Sequence, residues 1–256
     1  MEVVLALTAF AASLLTFFSG FGLGTLLMPV MLIWFPAPVA IALTGMVHLA
    51  NSLFKVSLTS QHVNRRVFLR FGLPAVLAAF AGSWLLIRLG TLPVWYHYRF
   101  MGVEAETGPM KILVASLLLC FVWMEYAPRM KRLAFSEKLL PVGGILSGFF
   151  GGLTGNQGAL RSAFLMKAGL TKEQFVGTAA LISVCVDFTR VSQYVSRMQA
   201  SFTNEQWMPL VICVFSALTG ALLGKRLLQK TTFAFVQQVV AFCLMLLAVL
   251  LATGLL

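Results

Sequence analysis

Charge is scarce in this chain. Only 11% of its 256 residues are Asp, Glu, Lys or Arg, against about 25% in an ordinary soluble domain. Acidic residues are the scarcest, 8 against 19 Lys and Arg. So little polar surface cannot cover a water-exposed globule, which excludes a disordered chain, a coiled coil and a soluble enzyme. The 4 cysteines, Cys120, Cys185, Cys213 and Cys243, lie inside apolar runs without metal-site or disulfide spacing, and read as small buried apolar residues. The start, Met1-Glu2, has no basic stretch and no clear small-x-small cleavage site, so the first apolar run reads as a membrane segment of the mature protein. A GxSG serine motif is missing, because Ser147-Gly148 follows Ile145-Leu146; HExxH, paired intramembrane aspartates and a P-loop are missing too. These gaps argue against an enzyme and against an ATP-driven pump, and no cofactor or metal is expected.

What is present is hydrocarbon: 59% of residues are apolar. Apolar runs fall at 3–35, 37–60, 67–89, 111–127, 139–170, 173–197, 205–227 and 232–254. Most have the length that crosses roughly 30 Å of hydrocarbon as a helix. The first and fifth are too long, and both are broken by glycine, at Ser19-Gly20-Phe21-Gly22-Leu23-Gly24 and at Gly148-Phe149-Phe150-Gly151-Gly152-Leu153-Thr154-Gly155-Asn156-Gln157-Gly158. Each glycine costs roughly 1 kcal/mol in a helix interior, so these clusters are expected points of unwinding. The largest polar connections are 90–110 and 128–138.

The two broken runs occupy matching places in two halves, 1–127 and 128–256. A shift of 135 residues lays 20–56 on 155–191, with Gly20 on Gly155 and Lys55 on Arg190; three further residues bring Gly82 onto Gly220. Such repeats are common in transporters. Charge then tests topology. If each broken run is one kinked span, the basic residues divide equally between the two sides. If each is a hairpin leaving by the side it entered, Arg65, Arg66, Arg70, Arg129, Lys131, Arg132, Lys138, Lys167, Lys172, Lys225, Arg226 and Lys230 collect on one side, leaving Arg88, Arg99, Lys111 and Arg197 on the other. The hairpin arrangement obeys the positive-inside rule. The expected fold is therefore an all-α polytopic membrane protein of two inverted repeats. Each repeat holds a glycine-broken hairpin, re-entrant or kinked, followed by three transmembrane helices. Both termini lie outside the cytoplasm.

Three basic residues are left within the apolar runs: Lys55, Arg161 and Arg190. A charge at membrane depth costs at least ~2.5 kcal/mol and marks function by default. Arg161 follows Gly155-Asn156-Gln157-Gly158, and with Thr154, Asn156, Gln157 and free backbone N–H groups it could build an anion site; the plainer reading pins it to loop carbonyls. Gly20, Gly22, Gly24 and Gly155 would expose backbone to the same anion. Asp187 and Arg190, three apart, share a helix face as a neutralised pair or as a gating or proton-carrying pair. His48, Asn51 and Lys55 form a polar stripe beyond Thr44, either sealing helix to helix or lining a path.

These residues resemble the TauE/SafE sulfite-exporter-like permeases. The resemblance rests on Gly20-Phe21-Gly22-Leu23-Gly24 with Pro29 and Pro36-Ala37-Pro38, and on Gly151-Gly152-Leu153-Thr154-Gly155 with Leu170-Thr171-Lys172-Glu173-Gln174-Phe175 and Gly177-Thr178. It covers nearly the whole chain and implies anion transport across the bacterial inner membrane, with sulfite or small organosulfonates as cargo. Asn156-Gln157 and Arg161 depart from the pattern and point to a particular cargo. The expected function is a secondary transporter exporting small sulfur-containing anions by alternating access. The alternative is an intramembrane scaffold without transport. The expected partners are a small anion, the lipid bilayer and, as a candidate, a second copy of the chain; nucleic acid is not expected.

Overall fold

The computed structural model describes residues 1–15, 17, 23–100, 103–126, 136–155, 157–166, 168–197, 204–227, 238, 242, 245, 246 and 248–255. Gly20, Gly22, Asn156 and Cys243 lie outside the described residues. The architecture is helical. In chain order it runs α1 (Glu2–Leu15), α2 (Leu23–Leu32), α3 (Ala37–Thr59), α4 (Arg65–Gly90), α5 (Pro109–Tyr126), α6 (Leu140–Thr154), α7 (Gly158–Leu165), α8 (Lys172–Arg197) and α9 (Trp207–Leu227). Four stretches are long and apolar enough to cross a membrane: Pro38–His62, Arg65–Gly90, Lys172–Arg197 and Asn204–Arg226. Apart from the apolar part of α5, Pro109–Cys120, the shorter helices come from the two glycine-broken runs. α1, α2, α6 and α7 have 14, 10, 15 and 8 residues. At about 1.5 Å per residue, none reaches across roughly 30 Å of hydrocarbon.

Local chemistry sets the element ends. α3 opens behind Pro36 with Pro38 in its first turn, where a missing N–H costs nothing. α4 starts at an Asn64 cap whose side chain accepts from the Val67 N–H at 3.1 Å, and it carries a π-helical turn over Phe68–Gly72. The 90–110 connection, expected as a plain polar loop, holds a two-stranded antiparallel ribbon. β1 (Tyr96–Phe100) pairs with β2 (Val103–Thr107), Tyr96 opposite Thr107. Its alternating Tyr96-His97-Tyr98-Arg99-Phe100 has the aromatic, period-two pattern that favours a strand, short beside the long apolar runs that flank it.

The glycines of the fifth run serve packing as much as unwinding. Gly148, Gly151 and Gly152 stay within α6, and the break comes only at Gly155, left-handed at φ 82°. Gly144, Gly148 and Gly152 form a stripe against Phe71, Ala75 and Ala79 of α4. A methyl group at Gly148 would lie 2.0 Å from the Ala75 carbonyl oxygen. The order of these contacts makes α4 and α6 parallel, with backbones in direct touch, the small-xxx-small arrangement of membrane helices. α1 and α9 meet in the same way: methyls at Gly220 and Gly224 would lie 2.3 and 2.7 Å from the carbonyl oxygens of Phe10 and Leu14. α3 and α8 lie antiparallel, with Gly177 against Thr59 and Gly45 against Arg190 and Val191. α6 and α7 pack on each other, the face of Gly143 near the start of one lying under the Phe164 ring near the end of the other.

Gly148→Ala is expected to cost about 3 kcal/mol, the upper range for overpacking, which lowers the unfolding midpoint by about 6–12 °C at this chain length. Gly90→Ala, whose added methyl would meet only the Met110 sulfur at 3.5 Å, should leave the midpoint unchanged. Thermal unfolding in detergent reads both.

Candidate functional site

Gly24 stands in the first turn of α2, just after the first break, and Gly155 caps α6 at the second. They face each other: a Cβ on Gly24 would lie 4.0 Å from the Gly155 carbonyl oxygen and 3.9 Å from both His48 Cδ2 and Thr44 Cγ2. The ends of the two broken runs therefore meet beside α3. Gly155 is required twice over. Its backbone is left-handed, which side chains rarely tolerate, and a Cβ there would meet Arg190 Nη1 at 2.5 Å. Gly45 of α3 leaves room on another side, 3.4 Å from Arg190 Cζ by the same measure.

Charged groups gather at this meeting point and are buried. Lys55 and His48 are each 8% exposed, Arg161 and Arg190 1%, and Asp187 0%. Asp187 organises them. His48 Nδ1 lies 2.5 Å from its Oδ2, so with the carboxylate ionised Nδ1 carries the proton. Arg190 Nε donates to Oδ1 at 2.9 Å, and Gln157 Nε2 donates to the same oxygen at 3.3 Å. Arg161 reaches Ser183 Oγ with Nη1 and is also within electrostatic range of Asp187. Lys55 holds its ammonium 5.3 Å from the centre of the Phe17 ring, beside the first break, and its charge meets that of Arg161.

The predicted site residues sort clearly. His48, Gln157, Arg161, Asp187 and Arg190 come together with Gly24 and Gly155. Thr154 is buried next to Gly155, its hydroxyl donating to the Phe150 carbonyl at 3.2 Å. Asn51 accepts from Ser13 Oγ at 3.0 Å and so joins α3 to α1. Each member of the α3 stripe thus meets a different element. Gly20, Gly22 and Asn156 lie outside the described residues. Sequence reasoning missed Ser183, Gly45 and the ties that hold the second break, where Ser147 Oγ donates to the Gln157 carbonyl at 3.0 Å and Tyr194 donates to the Gly152 carbonyl at 2.6 Å. A signal for Ser183 was there: the 135-residue shift lays His48 on it.

The family model for the sulfite exporter TauE/SafE matches residues 5–251. The chain belongs to the TauE/SafE sulfite exporter family. The match spans both glycine breaks and every buried charge of the cluster. A TauE/SafE chain is a multi-pass membrane transporter of the class that handles sulfur compounds, and this one has the apolar helices for it. Its family speaks for transport over a passive scaffold, and for a transporter over an enzyme. No curated protein and no solved structure matches the chain.

Removing Asp187 strands buried cations. Asp187→Ala should destabilise the protein by about 3–5 kcal/mol, as breaking a buried pair does. Asp187→Leu combined with Arg190→Met should be more stable than the sum of the two single changes predicts. Unfolding midpoints of these four variants and the unmodified protein check this.

Proposed function

We propose that this chain exports small anions, namely sulfite, an organosulfonate or a related sulfur oxyanion, across the bacterial inner membrane. One observation carries the reading. The described residues include three buried basic side chains, Lys55, Arg161 and Arg190, and one buried carboxylate, Asp187, which bonds Arg190 and lies within electrostatic range of Arg161. These basic side chains gather where the ends of the two broken runs meet, and their charge and N–H donors are the chemistry that binds an oxyanion. Arg161 and Gln157 bind it with Asn156 and Thr154, while Gly20, Gly22, Gly24 and Gly155 bring backbone close. His48, Asn51, Lys55, Asp187 and Arg190 form the gating set. The His48–Asp187 contact joins the two halves, 1–127 and 128–256, and must break when they move apart.

Each glycine-broken run is a re-entrant hairpin, and the halves are inverted repeats working by alternating access. Four features support this. The arms are too short to span. The faces of Gly143 and Phe164 meet as in a hairpin. The matched helices α3 and α8 run antiparallel. The halves exchange partners alike, α4 with α6 and α9 with α1, through the matched glycines Gly82 and Gly220, which press on Phe149 and Phe10. The termini lie outside the cytoplasm, as the basic-residue count favours. An inside-negative potential drives a monoanion outward by ~2.3 kcal/mol per 100 mV, so export needs no coupled ion.

The test is sulfite flux in proteoliposomes. Arg161→Ala should weaken binding by about 10- to 150-fold, the worth of a hydrogen bond from a charged group, and Arg161→Lys should retain part of it. Unchanged flux and affinity in Arg161→Ala would remove the assignment.

A further inference from the structure

A cavity of about 450 Å³ opens at the end of the molecule where α2 passes into α3 and α4 passes through the ribbon into α5. Leu32, Phe35 and Pro38 form one wall; Leu92, Glu106 and Lys111 belong to the others. Beneath Leu32 the space collapses. Met28, Leu32, Ile41, Met110, Val114, Leu251 and the stem of Lys111, whose ammonium is turned to the Glu106 carbonyl, close around a void of about 10 Å³, which admits at most one water.

Sequence spacing connects this cavity to the site. On α2, Leu32, Met28 and Gly24 follow one another at intervals of four. On α3, Pro38, Ile41, Thr44 and His48 follow at three or four. Each set shares one helix face. The outer members, Leu32 and Pro38, line the cavity. The middle members, Met28 and Ile41, border the void. The inner members converge, with Gly24 against Thr44 and His48. The Thr44 hydroxyl, buried there, has no hydrogen-bond partner among the described residues.

We propose that this shared face of α2 and α3 is the route between the anion site and the ribbon side of the membrane, closed in this structure by an apolar plug of Met28 and Ile41. The inference rests on the transport reading. A dry constriction of this kind stops an anion, which would have to shed its water to enter, and hydrophobic constrictions gate pores on that basis. Methionine suits a plug that opens, because its unbranched, flexible side chain repacks readily. The last described turn of the chain ties plug to roof. Leu251 borders the void, while Thr253 accepts from the Tyr98 hydroxyl and the Gly254 carbonyl accepts from the Glu106 N–H at 3.2 Å. Lys111 Nζ donates to the Glu106 carbonyl at 2.9 Å. The ribbon is thus a lid over the outer mouth, fastened to an element that also walls the plug.

Two experiments test the route. In a background with Cys120, Cys185, Cys213 and Cys243 replaced by alanine, Met28→Cys and Ile41→Cys are exposed to a membrane-impermeant maleimide on the side that labels Glu104→Cys, which marks the exposed ribbon. Labelling should be slow at rest, much slower than at Ile33→Cys in the cavity wall, and several-fold faster under a sulfite gradient. In the native background, Ile41→Trp should cut sulfite flux at least about tenfold and leave sulfite binding to the purified protein within about twofold. Labelling indifferent to sulfite, or full flux through Ile41→Trp, overturns the route and leaves the transport reading standing. Absence of flux of sulfite, thiosulfate and sulfoacetate alike in the unmodified protein overturns both.

Discussion

Asp187 carries the constraint on which the rest of the structure depends. It is the sole carboxylate buried among the described side chains, with the buried Arg190 bonded to it and the buried Arg161 within electrostatic range. Taking charges out of water costs several kcal/mol each unless they are paired and hydrogen-bonded. Asp187 accepts from Arg190 and Gln157 and holds His48 by Nδ1, which fills most of its acceptor capacity. Its three close partners lie on α3, on the second break and on its own helix α8. One side chain therefore fixes the register of α3 against α8 and the position of the second break between them.

Glycine makes that concentration of charge physically accessible. Gly45 and Gly155 leave the space that the Arg190 guanidinium occupies. The α6 stripe lets α4 and α6 touch backbone to backbone, so that the second broken run is braced by a helix from the opposite half. The first is braced by α9 in the same manner. Each half supplies the long helix that supports the other's short arms. The buried cluster forms between these braces.

Much of this was legible in the chain. Length and hydropathy located the four long apolar helices, since bilayer thickness leaves few alternatives. The three basic residues inside apolar runs all proved to be buried, and four of the five residues expected to gate are charged or bonded members of one cluster or its neighbour. The unwinding of the second run was placed too broadly, because a glycine in a helix reads the same whether it breaks the helix or admits a neighbour. Gly148 and Gly155 differ only in what faces them. The ribbon at 96–107 was hidden for another reason, its short period-two pattern lying inside a connection already explained as polar loop.

Composition and charge alone determined the solvent of this protein, its helical class and which basic residues are out of place in lipid. These follow from local quantities: residue hydropathy, segment length and the cost of an isolated charge in hydrocarbon. Tertiary structure decided what compensates those charges. Asp187 with His48, 139 residues apart, Arg161 with Ser183, Gly24 with Gly155 and Met28 with Ile41 are meetings between elements that no spacing in the chain specifies. They arise from how helices pack side by side, and packing is settled by the shapes of all the faces together.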